Sequence, residues 1–168
     1  KPKKLIMSFH GVPKKSLMKG DPYHCECHKT GRLLAEALKL KDHEYQVCFQ
    51  SRFGKAEWLK PYFTDVIAQE AEKKDASIHV ICPGFSSDCL ETLEEINMEG
   101  KSLFLEGGGK SFNYIPALNN EDEWIKSMEE IIRPHLAGWI DPKWTKKKED
   151  SASVKTKKMY NKVKATSK

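Results

Sequence analysis

No stretch of this sequence approaches the roughly 20 apolar residues of a membrane span. The basic opening "KPKKLIMSFHG" has an apolar part too short for a secretory signal. Phosphate-cradling turns are missing as well. "LEGGGKSFNY" is glycine-rich, but it follows a helical segment and precedes a strand, so it matches neither the P-loop nor the dinucleotide fingerprint and reads as a helix C-terminal turn. Cysteine is scarce and odd in number: Cys25, Cys27, Cys48, Cys82 and Cys89. That count argues for reduced thiols in a cytosolic-type compartment rather than a disulfide framework, and two of the five lie in strand-like apolar runs where a thiol behaves as a small hydrophobe.

What is present bounds the rest. With 168 residues the chain fits one domain of ordinary size plus a tail. Its formal net charge of +5 is unevenly spread: residues 143–168 hold ten lysines against Glu149 and Asp150, a local +8 that leaves residues 1–142 at −3. The globular part is therefore slightly acidic, and the high pI belongs to the tail. We place the boundary at 138/139. The tail composition, Lys, Ser and Thr with few large apolar residues, is that of a disordered or loosely docked segment. A lysine run with little aromatic interleaving argues against nucleic acid, leaving an anionic membrane surface as the contact such a tail would make. The chain also starts almost directly in a strand, as a piece would whose N-terminal half lies elsewhere.

Apolar runs of strand length alternate with helical segments. "KLIMSF", "EYQVCFQS", "SIHVICPGF" and "FNYIPAL" read as strands. The helices expected are "TGRLLAEALKL", with an apolar face of Leu33, Leu34, Ala37, Leu38 and Leu40, then about Tyr62 to Lys73, about Asp88 to Leu105, and "EDEWIKSMEEIIRPHL", whose acidic opening suits the helix dipole. The residues between the first strand and Thr30 read as a loop to about Tyr23. Strands this apolar, each followed by a helix, imply an α/β fold with a parallel sheet of about four strands covered on both faces. Right-handed crossovers then bring every strand C-terminus to one edge, where such sheets bind ligands. His10, Gln50 to Arg52 and Phe85 to Asp88 should share one crevice.

Two constellations there can carry chemistry. His10 closes the first strand, before Gly11, which permits a sharp turn or close approach, and Pro13, which stiffens the exit. An imidazole at a crevice mouth can accept protons or bind a transition metal. In "FSSDCLETLEEINMEG", Glu91, Glu95 and Glu99 recur every fourth residue, stacking carboxylates on one helix face at a cost of about a few tenths of a kcal/mol per pair. A solvated acidic face would look the same, but Glu91 lies in the first turn, beside the edge that receives His10. Trp58 in "QSRFGKAEWL" is either core or a platform for a flat ligand. "HCECHKT" crowds His24, Cys25, Cys27 and His28 together, yet matches no four-ligand zinc spacing and offers too few thiols for an iron–sulfur cluster, so a structural or incidental role is favoured.

"LIMSFHGVP" with "KGDPY", "FQSRFG" with "WLKPY", and "CPGFSSDCLETLEEI" together resemble the ferrochelatase family in its bacterial form, over about residues 4–135 and only its C-terminal half. The resemblance implies a Rossmann-like chelatase domain, a porphyrin cleft between two such domains, and insertion of ferrous iron into protoporphyrin IX without an organic cofactor. His10 and Glu91 align with the family's catalytic and metal-handling pair. Trp58, Phe85 and Asp88 align with cleft positions near the macrocycle, and Glu95 and Glu99 with an acidic line leading away. Cys89 stands where some members have histidine; Phe63 and Val66 depart from the family pattern, and the three-cysteine cluster motif of animal members is absent. A single-domain homodimeric cobalt or nickel chelatase, completing its cleft with a second copy, and a non-catalytic porphyrin-binding fragment are the alternatives.

Overall fold

The computed structural model describes residues 4–73, 75–136, 138–139 and 145–166. Strands β1 (Lys4–His10), β2 (Tyr45–Gln50), β3 (Ser77–Ile81) and β4 (Ser111–Ile115) form one parallel sheet in the order β2-β1-β3-β4. The α/β class, the parallel sheet and its flanking helices are as the sequence leads one to expect. From β1 the chain moves outward to β2 and then crosses to β3 on the other side, so the strand order reverses between β1 and β3. In open α/β sheets that reversal opens a crevice at the strand C-termini. Register deepens it here. His10 pairs opposite Gln50 of β2, whereas β3 stops at Ile81, opposite Met7. Ser8, Phe9 and His10 therefore overhang β3.

The two-residue alternation of β-strands divides the core. Met7, Phe9, Val47 and Phe49 pack on one face with Cys27 and Ala35 of helix α2 (Tyr23–Ala37). Ile6, Cys48, Ile78, Val80 and Phe112 pack on the other with α3 (Phe63–Ala71) and with Ile96 and Phe104 of the long helix α4 (residues 90–106). His10 follows Ile6 and Ser8 in this alternation, which assigns it to the α4 side. Cys48 and Cys82 are buried as small hydrophobes, and burial raises both thiol pKa values, that of Cys48 to about 12.

Three elements differ from expectation. Helix α1 (Lys14–Met18) occupies part of the presumed first loop, and α2 begins at Tyr23 rather than Thr30, so "HCECH" is helical. Its buried positions are Cys27, Gly31 and Ala35, four apart, while Ala37 is exposed and Leu33 and Leu38 are 48% and 53% exposed. Small residues are needed because the helix lies close on the sheet: a Cβ at Gly31 would come 2.5 Å from Val47 Cγ2. Helix α4 is the expected long helix, but only its first turn (Leu90–Thr92) and its end (Lys101–Glu106) are α-helical; Leu93–Gly100 between them is a π-helix. Gly100 admits the ring of Phe63, whose Cε1 would lie 2.6 Å from an added Cβ. That contact holds the wide turn against α3.

The chain divides into compact units Lys1–Glu121 and Asp122–Lys168. In the second, α5 (Asp122–Ile132) opens on Asp122 and Glu123 as expected and runs into a 3-10 turn, Arg133–Leu136. The expected 138/139 junction adjoins residues 137 and 140–144, which lie outside the described residues. The tail is helical over α6 (Lys146–Thr166), where disorder or loose docking was expected. Lysine and alanine favour helix, and Val154, Met159 and Tyr160 remain exposed on it. Among the described residues no helix is long and apolar enough to cross a membrane.

One ion-pair group ties the sheet to α3. Glu70 Oε1 lies 2.7 Å from both Lys4 Nζ and Lys73 Nζ, with its side chain 9% exposed. Burial alone would raise this carboxyl, but the two lysines outweigh it and hold its pKa below the ordinary value. The pair thus stabilises the fold above the ordinary carboxylate pKa, and the contribution is lost as pH falls through the lowered one. Glu70→Gln should cost about 1–3 kcal/mol in urea unfolding at pH 7. The gap to wild type should narrow in acid.

Candidate functional site

His10 sits at the overhanging end of β1, half-buried. Its Nδ1 lies 2.7 Å from the Gly11 carbonyl oxygen. A carbonyl only accepts, so Nδ1 carries a proton, which leaves Nε2 as the nitrogen that can take up or release one. The backbone is held from below: Tyr23 Oη donates to the His10 carbonyl at 2.8 Å, and Gly11 N–H donates to the Gln50 carbonyl at 2.8 Å. Glycine at 11 is required by close approach, since a Cβ would lie 2.7 Å from Gln50 O and 3.1 Å from Trp58 Cε3. The space that Gly11 opens is filled by the protein's own backbone and Trp58, where the sequence suggested an approaching ligand.

Aromatic rings flank the imidazole. The rings of Trp58 and Phe85 lie 6.5 and 6.4 Å from it, centroid to centroid, each tilted by 47°. Trp58 belongs to the loop after β2, which is stitched to the segment after β1 by Leu59 N–H to Val12 O (3.0 Å) and Lys14 N–H to Glu57 O (2.9 Å). Its Nε1 is buried without a hydrogen-bond partner. Such orphan donors are uncommon and call for an explanation. Phe85 comes from the turn after β3, closed by its N–H on Cys82 O at 3.0 Å.

Glu91 enters in the first turn of α4. The Cys89 thiol, the backbone N–H of Glu91 itself and the nearby His10 together hold its carboxyl below the usual carboxylate range. Cys89, noted in the sequence only as a substitution, is thus the largest cause of that lowering.

The remaining carboxylates divide by partner. Asp88 does not turn into the group around His10. Its Oδ1 accepts from Tyr114 Oη (2.6 Å), Thr92 Oγ1 (3.0 Å) and Ala117 N–H (3.3 Å), and Oδ2 accepts from Asn119 Nδ2 (2.9 Å). Burial opposes its charge, but these donors prevail and keep it ionised. Asp88 is a brace between the β3 and β4 loops. Glu95 is an anchor too: Ser51 N–H reaches Oε1 at 2.6 Å, and Ser51 Oγ and Gln50 Nε2 reach Oε2 at 2.6 and 3.2 Å. Those bonds hold Ser51 at φ 62°, a left-handed conformation that a non-glycine residue adopts only when its surroundings impose it. Glu99 remains exposed.

A shallow cavity of about 240 Å³ is lined by Leu90, Glu91, Glu94, Glu95 and Glu99. The carboxylates at 91, 95 and 99 therefore do share a surface, though through a π-helix. Four residues overrun an α-helical turn by about 40°, and fall short of the wider π turn. Glu95 also lines a second cavity of about 250 Å³ with Phe49 to Arg52 and Tyr62 to Thr64. Sequence reasoning placed Gln50 and Ser51 at the crevice without a role and missed Glu94 and Tyr23. Tyr23 was within reach, because "GDPY" lets Asp21 Oδ1 accept from Tyr23 N–H at 2.9 Å and start the helix.

The family profile described as Ferrochelatase matches residues 1–136 of this sequence. The chain belongs to the ferrochelatase family. It is 61% identical over 140 residues to the ferrochelatase of Nitrosomonas europaea, covering 83% of this chain and 38% of that protein. The ferrochelatase of a Janthinobacterium species is 55% identical over 157 residues, covering 92% and 43%. That of Chromobacterium violaceum is 59% identical over 141 residues, covering 84% and 39%. The chain spans about two fifths of the length of these relatives. Of the positions expected for a ferrochelatase cleft, His10, Trp58, Phe85 and Glu91 come together. Asp88 and Glu95 are occupied by protein donors. Among the described residues no cluster of three or more His, Cys, Asp or Glu side chains is arranged to hold a metal ion.

Removing the thiol tests the electrostatics. Cys89→Ala should raise the Glu91 pKa toward the ordinary glutamate value, while Cys89→Ser should leave most of the depression in place. Carboxyl carbon shifts followed through a pH titration read both.

Proposed function

We propose that this chain supplies one wall of a cleft in which ferrous iron is inserted into protoporphyrin IX, with His10 and Glu91 sharing pyrrole deprotonation and metal delivery. The observation that carries this is an imidazole whose Nδ1 is tied to the Gly11 carbonyl, with two aromatic rings within 6.5 Å of it at the sheet's reversal point and a carboxyl of lowered pKa nearby. Each group has a task in that reaction. The macrocycle must lose two pyrrole protons as the cation enters its centre, so one face needs a base that is neutral before it acts. With Nδ1 tied to the Gly11 carbonyl, His10 can serve as that base through Nε2. Glu91, its pKa lowered chiefly by Cys89, offers charge to an incoming cation or to the imidazolium once formed.

Trp58 and Phe85 supply flat apolar surface for a macrocycle, as apolar pockets with a few placed polar groups do for large ligands. Binding energy spent in bending the ring would expose its nitrogen lone pairs to the metal. Away from His10, the exposed carboxylates Glu91, Glu94 and Glu99 line one shallow surface suited to a hydrated dication. Glu95 is less available, since both its oxygens accept protein donors. Imidazole and carboxylate bind several divalent metals. The relatives' shared name favours iron among them. The opposing wall would come from a second domain or a second copy.

A chimaera in which this chain replaces the matching segment of the Nitrosomonas europaea protein provides a complete cleft for testing. His10→Ala should lower the rate of iron insertion on the order of 10²- to 10⁴-fold, the usual contribution of a positioned base, with an unchanged circular dichroism spectrum. Normal turnover by that variant would remove His10 from the chemistry.

A further inference from the structure

The motif "HCECH" plays no part in the site around His10. Its helical form distributes the five side chains around the first turns of α2. Cys27 packs into the core beneath α2, and Glu26 pairs at 3.6 Å with Lys29, one turn on. Cys25 is exposed and lies three residues before His28, but it does not join the two histidines in a group able to hold a metal ion. His24 and His28, four apart, face one another. Their ring centroids are 4.5 Å apart at an interplanar angle of 49°. Both rings also rest on Phe49, itself buried: His24 is stacked on it at 5.7 Å and His28 is tilted against it at 6.0 Å. The phenyl ring is a fixed floor that limits the rotamers of both histidines. His24 is half-buried and His28 exposed, so the pair remains open to solvent.

We propose that His24 and His28 form a two-imidazole site near the start of α2 for a divalent transition cation of borderline softness, such as Zn²⁺, Co²⁺, Ni²⁺ or Cu²⁺. Two histidines separated by three residues on a helix are the spacing with which helical zinc sites present two of their ligands. Metal–nitrogen bonds of roughly 2.0–2.1 Å place two neighbouring imidazole ligands with centroids about 4.5–5 Å apart. The observed separation falls in that range without movement of the helix. Imidazole nitrogen selects these cations over Mg²⁺ and Ca²⁺, which prefer oxygen. With no third protein ligand clustered there, water would fill the other positions. This inference does not depend on the reading of His10 and Glu91.

Zinc is the probe, titrated into the ¹⁵N-labelled full chain near neutral pH while the imidazole resonances are followed. The signals of His24 and His28 should shift together and saturate at one equivalent. His24→Gln and His28→Gln should each weaken that binding on the order of a hundredfold, because the second ligand's effective concentration is lost. Cys25→Ser should leave it within about twofold, since the thiol is not grouped with the two imidazoles, and magnesium should cause no shift. Far-UV circular dichroism reports that each variant is folded, and the exposed His28 gives a variant that removes no core contact. Unmoved His24 and His28 signals under zinc would overturn the proposal, as would affinity retained in both His→Gln variants or abolished by Cys25→Ser.

Discussion

The buried amide of Gln50 links three parts of the sheet edge that the sequence keeps far apart. Its Oε1 accepts from Ser8 Oγ of β1 at 2.9 Å and from Cys82 Sγ at the end of β3 at 3.5 Å, while its Nε2 donates to the Glu91 carbonyl at 2.7 Å and to Glu95 at 3.2 Å. Its backbone carbonyl takes the Gly11 N–H. Every polar group of a 3% exposed side chain is thereby satisfied. Such a network fixes geometry because a buried polar group left without its partner is costly. What it fixes is the relation between β1, which ends in His10, and the helix start that carries Glu91.

Around that amide the acidic residues fall into two kinds. Asp88 and Glu95 are engaged by hydroxyl, amide and backbone donors, and they brace the loops at either end of the α4 entry. Glu91, Glu94 and Glu99 keep an open surface. The brace and the open row alternate along one helix because its middle is π-helical, a form found mostly where a site imposes it.

The sheet was legible because β1 and β2, buried along most of their length, read as apolar runs, and β3 and β4 are short apolar-rich segments, though β4 leaves Ser111 and Asn113 exposed. The long helix after β3 was equally plain, but its π stretch was not: Leu93 to Gly100 has ordinary helix-forming composition, and the constraint lies in Phe63 meeting Gly100 and Gln50 meeting Glu91. The start of α2 was hidden by the same logic in reverse. The sheet face beneath it is filled by Phe9, Val47 and Phe49, so the helix buries cysteine, glycine and alanine and leaves leucines outside. His10, Trp58, Phe85 and Glu91 could be placed at one edge from strand order alone. That Asp88 and Glu95 face protein donors depended on Asn119, Tyr114 and Ser51, residues 44 or fewer positions away whose approach no local pattern encodes.

The account stands on the claim that the overhanging end of β1 is where a macrocycle meets this chain. Ring-current shifts test it directly, because a porphyrin displaces the resonances of any group lying over its face. With protoporphyrin IX added to the isotopically labelled chain, the largest shifts should fall on the His10 imidazole, the Trp58 indole and the Phe85 ring. Porphyrin bound with those signals unmoved, and with the shifts gathered at α3 or the far ends of the strands, would contradict it.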